Sequence, residues 1–183
     1  AGPREGASTT AAGLARVLAL SGHRVVLVGG DLRSPSAVGA PGAPGLAEVL
    51  VGTARLSQVL VEGEVPGLEL LPAGDMPGNP SELLGGRNMS DLLHHLAADR
   101  IVIIDAPPVC RFTDAVVLAE YAGGVLLVAR AGRTSAEELR EAALAVGQGG
   151  GHMLGVVLTN VSDLGRGSRS AQAAVTHAES ATV

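Results

Sequence analysis

The stretch AGPREGASTT, residues 1–10, has the glycine spacing and terminal hydroxyls of a phosphate-binding loop, with one residue out of place. Such a loop needs glycine so that backbone amides can close around phosphate oxygens. It also needs a lysine to reach the β/γ-phosphates and a Ser or Thr hydroxyl to hold magnesium. Gly6, Ser8 and Thr9 stand where they should, but Ala7 takes the lysine position. None of these 183 residues is a lysine, so no distant residue within this sequence supplies one. Residues 9–20 are rich in Ala and Leu and end at Ser21-Gly22, a helix stop. A helix opening directly behind a glycine loop aims its dipole at bound phosphate. A phosphate-binding loop also joins a strand to that helix. Only Ala1 precedes Gly2, so the expectation is a fragment of a longer protein, with the first strand outside this sequence.

Outward from the loop, apolar runs rich in β-branched residues recur at 25–28, 68–71, 101–104, 125–128 and 156–158. Their near-continuous hydrophobicity suits strands covered on both faces, as in a parallel sheet. Helical segments lie between them. Residues 88–98 place Leu92, Leu93 and Leu96 on one side, 113–121 starts at a Thr-Asp cap, and 135–146 starts with Ser135 followed by Glu137 and Glu138. Short helices are expected near 46–51 and 56–61, after a Pro/Gly-rich loop at 34–44. Strand and helix alternate, which predicts a doubly wound α/β sheet. Residues 1–161 form one domain; the tail 162–183 loses strand character and is expected to be weakly structured.

Composition narrows the functional classes. The chain has 183 residues, 46% hydrophobic but only 1% aromatic, so its core must be built from Ala, Val, Leu and Ile. A net charge of −5 gives no basic stripe for nucleic acid or an anionic membrane. One cysteine, Cys110, excludes an internal disulfide and suits a reducing compartment. No apolar run approaches the ~20 residues of a membrane span.

Three segments are expected to converge at the carboxyl ends of the strands, where open α/β sheets bind ligands. They are the 2–10 loop, VVLVGGDLRSP (25–35) with Asp31 and Arg33, and IVIIDAPPV (101–109) with Asp105. A carboxylate at the Asp105 position typically binds magnesium opposite the loop hydroxyl.

With these motifs in place, the chain resembles the bacterial tyrosine kinases of capsule and exopolysaccharide synthesis, relatives of the MinD/ParA ATPases. The likeness runs from residue 1 to about 161. GPREGASTTAAGLA is similar to that family's Walker A segment, VVLVGGDLRSP to its second acidic motif and IVIIDAPPV to its Walker B. LPAGDMPGNPSELL (71–84), GGVLLVARAGRTS (123–135) and LGVVLTNV (154–161) resemble further family stretches, the first of them separating it from plain MinD/ParA proteins. The resemblance implies a P-loop NTPase-like three-layer sandwich with a mostly parallel sheet. It assigns Gly2, Arg4, Glu5, Gly6, Ala7, Ser8, Thr9, Arg33 and Asn160 to nucleotide contact, with Thr159 a rival for the adenine-side position. Ser8 and Asp105 become the magnesium residues, and Asp31 joins Asp105 as a catalytic carboxylate. The implied cofactor is Mg-ATP or Mg-ADP. The implied partner is a membrane polysaccharide co-polymerase, on the same or a separate chain, at the inner face of the cell membrane, with a homo-oligomer as a further option and no nucleic acid.

The departures from the family pattern are at the charged positions. Ala7 replaces the phosphate-binding lysine, Gly29 the first Asp of the paired acidic motif, and Arg4 a loop glycine. Tyr121 is the only tyrosine in this sequence, so no C-terminal cluster of the kind such kinases autophosphorylate is expected from it. Losing one stabilising donor typically costs ~100- to 1,000-fold in rate. The expectation is therefore an impaired, kinase-like domain with weakened nucleotide binding. The alternatives are an active autokinase, with Arg4 or a partner's lysine as substitute cation, and a MinD/ParA-like ATPase switch. His94 and His95 are adjacent and cannot share a helix face as metal ligands. Cys110 and Tyr121 read as packing residues, and Arg130 and Arg133 lie after a strand at the nucleotide edge, open to a structural or a nucleotide-side role.

Overall fold

Val25–Gly29 (β1) is buried at all five positions because both of its faces are covered, as its unbroken apolar run requires. The computed structural model describes residues 2, 4–34, 38–40 and 42–161. Helix Ala7–Leu20 (α1) precedes β1, and Leu46–Val51 (α2) and Leu56–Val59 (α3) follow it. Next come Val61–Glu62 (β2), Leu68–Leu71 (β3), Pro80–Leu84 (α4), Arg87–Ala97 (α5) and Ile101–Asp105 (β4). Asp114–Tyr121 (α6), Val125–Arg130 (β5), Ala136–Gln148 (α7) and Met153–Thr159 (β6) complete the order. The 162–183 tail and part of the 34–44 loop lie outside the described residues.

Four strands form one sheet in the order β2-β3-β1-β4, with β1 parallel to both β3 and β4 and only the two-residue β2 antiparallel. A separate parallel pair, β5-β6, makes a second sheet. The mostly parallel α/β arrangement expected from the alternation is therefore present. Strand alternation sorts the core into layers. Val25, Leu27, Leu68 and Ile103 pack with Ala15 and Ala19 of α1 on one face. Val26, Val28, Leu71 and Ile104 pack with Leu46, Leu84, Met89, Leu96 and Leu118 on the other. Small α1 residues at the sheet, Ala15 at 0% exposure, let that helix lie close without aromatic filler. A third cluster joins Leu127 and Met153 to Ala119 of α6 and to Ala142 and Val146 of α7.

Local chemistry explains the element starts. Ser135 caps α7, its Oγ accepting from the Glu138 amide at 3.1 Å while Glu138 Oε2 accepts from the Ser135 amide at 2.8 Å. The sequence reading missed α4, although Pro80 at its first position and Glu82 in its first turn are start signals. It also extended the short helix at 56–61 two residues too far; Val61 and Glu62 instead pair with Leu70 and Glu69. No helix among the described residues is long and apolar enough to cross a membrane.

Candidate functional site

Gly6 begins the site because it is the residue at which the chain must turn into α1. Its φ of 94° lies in the left-handed region, which glycine enters without steric cost, and it offers no side chain to cap the helix. The first amides of a 14-residue helix therefore face outward with no side-chain cap, the arrangement that receives an anion. Arg4 adopts φ 61° in the same loop, a conformation that costs a residue with a Cβ about 1 kcal/mol or more. This is the physical sense of a glycine at that position. Arg4→Gly is expected to raise stability by about 1 kcal/mol, read as a higher Tm. An unchanged or lower Tm would mean that the Arg4 side chain repays its backbone strain.

The loop is tied to the second sheet. Glu5 is buried at 5% exposure. Its carboxylate accepts from the Gly2 amide at 2.6 Å and from the Thr134 hydroxyl at 2.6 Å, while Thr159 Oγ1 donates to the Glu5 carbonyl at 2.6 Å. Arg130 Nη1 donates to the Arg4 carbonyl at 3.3 Å. Glu5 thus works as a brace within the protein, and Arg130 holds the loop by its backbone.

Opposite the loop, Asp105 ends β4 with 5% exposure. Burial pushes its carboxyl above the ordinary range, a hydrogen bond with Ser8 pulls it back, and the charge of Asp31 raises it further. Strand parity places Asp105 on the face of Ile103, the α1 side, which is why it meets Ser8. Asp31 sits just past β1, with Oδ1 accepting from the amides of Arg33 at 3.0 Å and Ser34 at 3.2 Å. Gly29 is in register with Asp105 across β1 and β4.

These residues share one cavity of about 1250 Å³. Gly2, Arg4, Glu5, Gly6, Ala7, Ser8, Thr9, Asp31 and Asp105 all line it. So do consecutive residues of β4 (Val102–Asp105) and of β5 (Val125–Val128), so the cavity runs along strand edges between the two sheets. Two expected nucleotide residues are not among its lining residues. Arg33 is turned onto Asp114, Nε to Oδ2 at 2.5 Å, and Asn160 is exposed beyond β6 at φ 54°. Thr159, its rival, lies beside Gly6. The donor set of one hydroxyl and two carboxylates is all oxygen, which suits a hard cation that keeps several waters, such as Mg²⁺. Among the described residues no cluster of three His, Cys, Asp or Glu could hold a metal by protein ligands alone.

Sequence reasoning missed Asp114 as more than a helix-cap residue. Its side chain is wholly buried, and its partner Arg33 lies 81 positions away, a separation no local pattern reveals. Tyr121 donates its hydroxyl to the Gly85 carbonyl at 3.1 Å and packs against the core. His94 Nδ1 lies 2.8 Å from the Ser90 carbonyl.

No protein-family model matches the chain. Among curated proteins it is 36% identical over 160 residues to the tyrosine-protein kinase YwqD of Bacillus subtilis, covering 85% of this chain and 68% of that protein. It is 41% identical over 143 residues to the putative tyrosine-protein kinase EpsB of Ralstonia nicotianae, covering 76% of this chain but only 19% of that one. The chain thus spans about a fifth of the EpsB length. Among solved structures, the VpsO kinase domain superposes with a TM-score of 0.81 at 34% identity, covering 88% of this chain and 81% of that domain. With YwqD matched at 36% identity over 68% of its length and the VpsO kinase domain sharing the fold, the chain belongs to the bacterial tyrosine-protein kinase family.

Proposed function

We propose that this domain is a catalytically impaired, tyrosine-kinase-like module of capsule or exopolysaccharide synthesis that holds Mg-ADP or Mg-ATP weakly. It acts through contact with a membrane polysaccharide co-polymerase rather than through phosphoryl transfer. One observation carries the reading: Ala7 places a methyl group at the loop position where phosphate binding calls for a cation, in the cavity that Ser8, Asp31 and Asp105 also line.

The residues divide the work as follows. The α1 amides behind Gly6 receive phosphate oxygens, and Ser8 and Asp105, with Asp31 nearby, hold magnesium through oxygen donors. Bound magnesium would neutralise phosphate charge. Phosphoryl transfer depends on positioning and charge stabilisation, so loss of a lysine at Ala7 and of a carboxylate at Gly29 removes rate more than it removes binding. Arg4 is exposed, lines the cavity and is the substitute cation within the loop itself. The Tyr121 hydroxyl, engaged with Gly85, supports a packing role over phosphate acceptance.

Calorimetry with Mg-ADP tests this. Saturable heat in the millimolar range is expected, lost in Ser8→Ala, with no label on tyrosine after incubation with radiolabelled ATP. Absence of heat at millimolar ligand would remove nucleotide from the reading. Label on Tyr121 or on a partner would make the protein an active kinase. Steady ATP turnover stimulated by a partner or membrane, without phosphotyrosine, would make it an ATPase switch.

A further inference from the structure

Asp114 opens α6 with a side chain that is completely buried yet lies outside the cavity lining. A buried carboxylate is costly unless paired and hydrogen-bonded. Arg33 pairs it with a fork, Nε to Oδ2 at 2.5 Å and Nη2 to Oδ1 at 3.1 Å. The Ser81 hydroxyl donates to Asp114 Oδ1 and accepts from Arg33 Nη2 at 3.1 Å. The guanidinium also lies over the Phe112 ring, 4.7 Å from its centre, and Phe112 lines the cavity. Three separate segments meet here: the loop after β1, α4, and the start of α6 with Phe112 just before it.

Arg33 is bound at both ends. Its side chain is fixed on Asp114, while its own amide donates to Asp31 Oδ1 at 3.0 Å. The carboxylate that faces the cavity is thus held by a residue anchored on a carboxylate that does not. The 71–84 segment is pinned too. At its near end, Glu48 accepts from the amides of Gly45 at 2.6 Å and Asp75 at 3.1 Å; at its far end, Ser81 joins the Arg33 pair.

We propose that Arg33, Ser81 and Asp114 form a partly buried clamp that sets the position of Asp31 relative to Asp105 and Ser8. All three are then positioning residues for the cavity rather than ligands of what fills it. The proposal rests on reading that cavity as a Mg-nucleotide site. Ser81 is the arm that a simple ion pair would not need, and it makes the 71–84 segment part of the site without bringing it to the nucleotide.

The test uses Asp114→Asn, and Arg33→Lys, which keeps the charge but loses the fork and should fold if the first does not. Amide exchange is followed residue by residue, and Mg-ADP affinity is measured by calorimetry in an Ala7→Lys background. The clamp predicts that the amides of residue 33 and Ser34 exchange about tenfold faster while those of Leu27 and Val28 keep their rates. It also predicts Mg-ADP binding about tenfold weaker, as for outer residues that orient a metal site. Amides at 33 and 34 no faster than before, acceleration spread equally along β1, or unchanged Mg-ADP affinity in a folded variant would each overturn it. If those two amides loosen while the Ala7→Lys protein binds no Mg-ADP, the clamp on Asp31 stands and the nucleotide reading fails.

Discussion

The double replacement Ala7→Lys with Gly29→Asp is expected to raise ATP turnover by about 100-fold or more over the unmodified chain. Ala7 is the first residue of α1, directly behind the left-handed Gly6, so a lysine there starts from the helix N-terminus and extends into the cavity that Ala7 already lines. Gly29 has the same strand parity as Val25 and Leu27, which face α1, and is in register with Asp105. An aspartate at 29 would therefore join Asp105 on the Ser8 side of the sheet. Each replacement supplies a charge that phosphoryl transfer uses for positioning and stabilisation. Neither alone is expected to suffice, because residues acting as a unit are grossly non-additive. The two should also differ in the nucleotide-free protein. Gly29→Asp adds a like charge beside a buried carboxylate and is expected to lower Tm, whereas Ala7→Lys adds an opposite charge and is not. Turnover measured against magnesium concentration checks the claim. A double variant no faster than the unmodified chain would show that the impairment lies elsewhere, with Arg4 in the loop as the next residue to revert.

The parts of this fold that could be read from sequence are those whose signals are local. The β1 run is apolar on both faces because both faces are covered, so its composition announced a central strand. The loop at 2–10, Asp31 and Asp105 were placed together because parallel strands deliver their carboxyl ends to one edge, and the cavity lined by all three follows from that topology. What escaped depends on distant partners. Asp114 looks like a helix-start residue until Arg33 and Ser81 arrive from other segments. Glu5 looks like a loop residue facing nucleotide until Thr134, in the turn after β5, claims its carboxylate. β2 is too short for any period to show and exists only because Leu70 and Glu69 offer an edge. Arg33 shows the limit most clearly. An arginine beside an acidic motif at a phosphate site invites assignment to phosphate, yet a fully buried carboxylate competes for it, and the buried partner wins because an unpaired charge there would cost several kcal/mol.

Asp105→Asn is expected to stabilise the nucleotide-free protein at neutral pH while abolishing its magnesium dependence. Burial raises the Asp105 pKa, the Ser8 hydrogen bond lowers it in part, and the charge of Asp31 adds to the rise. The folded chain thus holds this proton more tightly than the unfolded chain does. Between the ordinary carboxyl value and the raised folded value, the native state carries the extra proton. Stability therefore falls as pH climbs through that window and stays at the lower level above it. Asparagine carries no charge to desolvate, and its side-chain oxygen can still accept from Ser8. The gain at neutral pH is expected to be about 1 kcal/mol, a Tm rise of roughly 2–4 °C for a chain of this size, closing as pH drops below the ordinary carboxyl range. Magnesium should then make no difference to whatever nucleotide binding survives. Thermal melts across pH, paired with calorimetry with and without EDTA, separate the two effects. A lower Tm at neutral pH would show that the ionised carboxylate holds the loop and sheet together more strongly than its burial opposes them. The site would then be a structural joint instead of a cation seat maintained at the expense of stability.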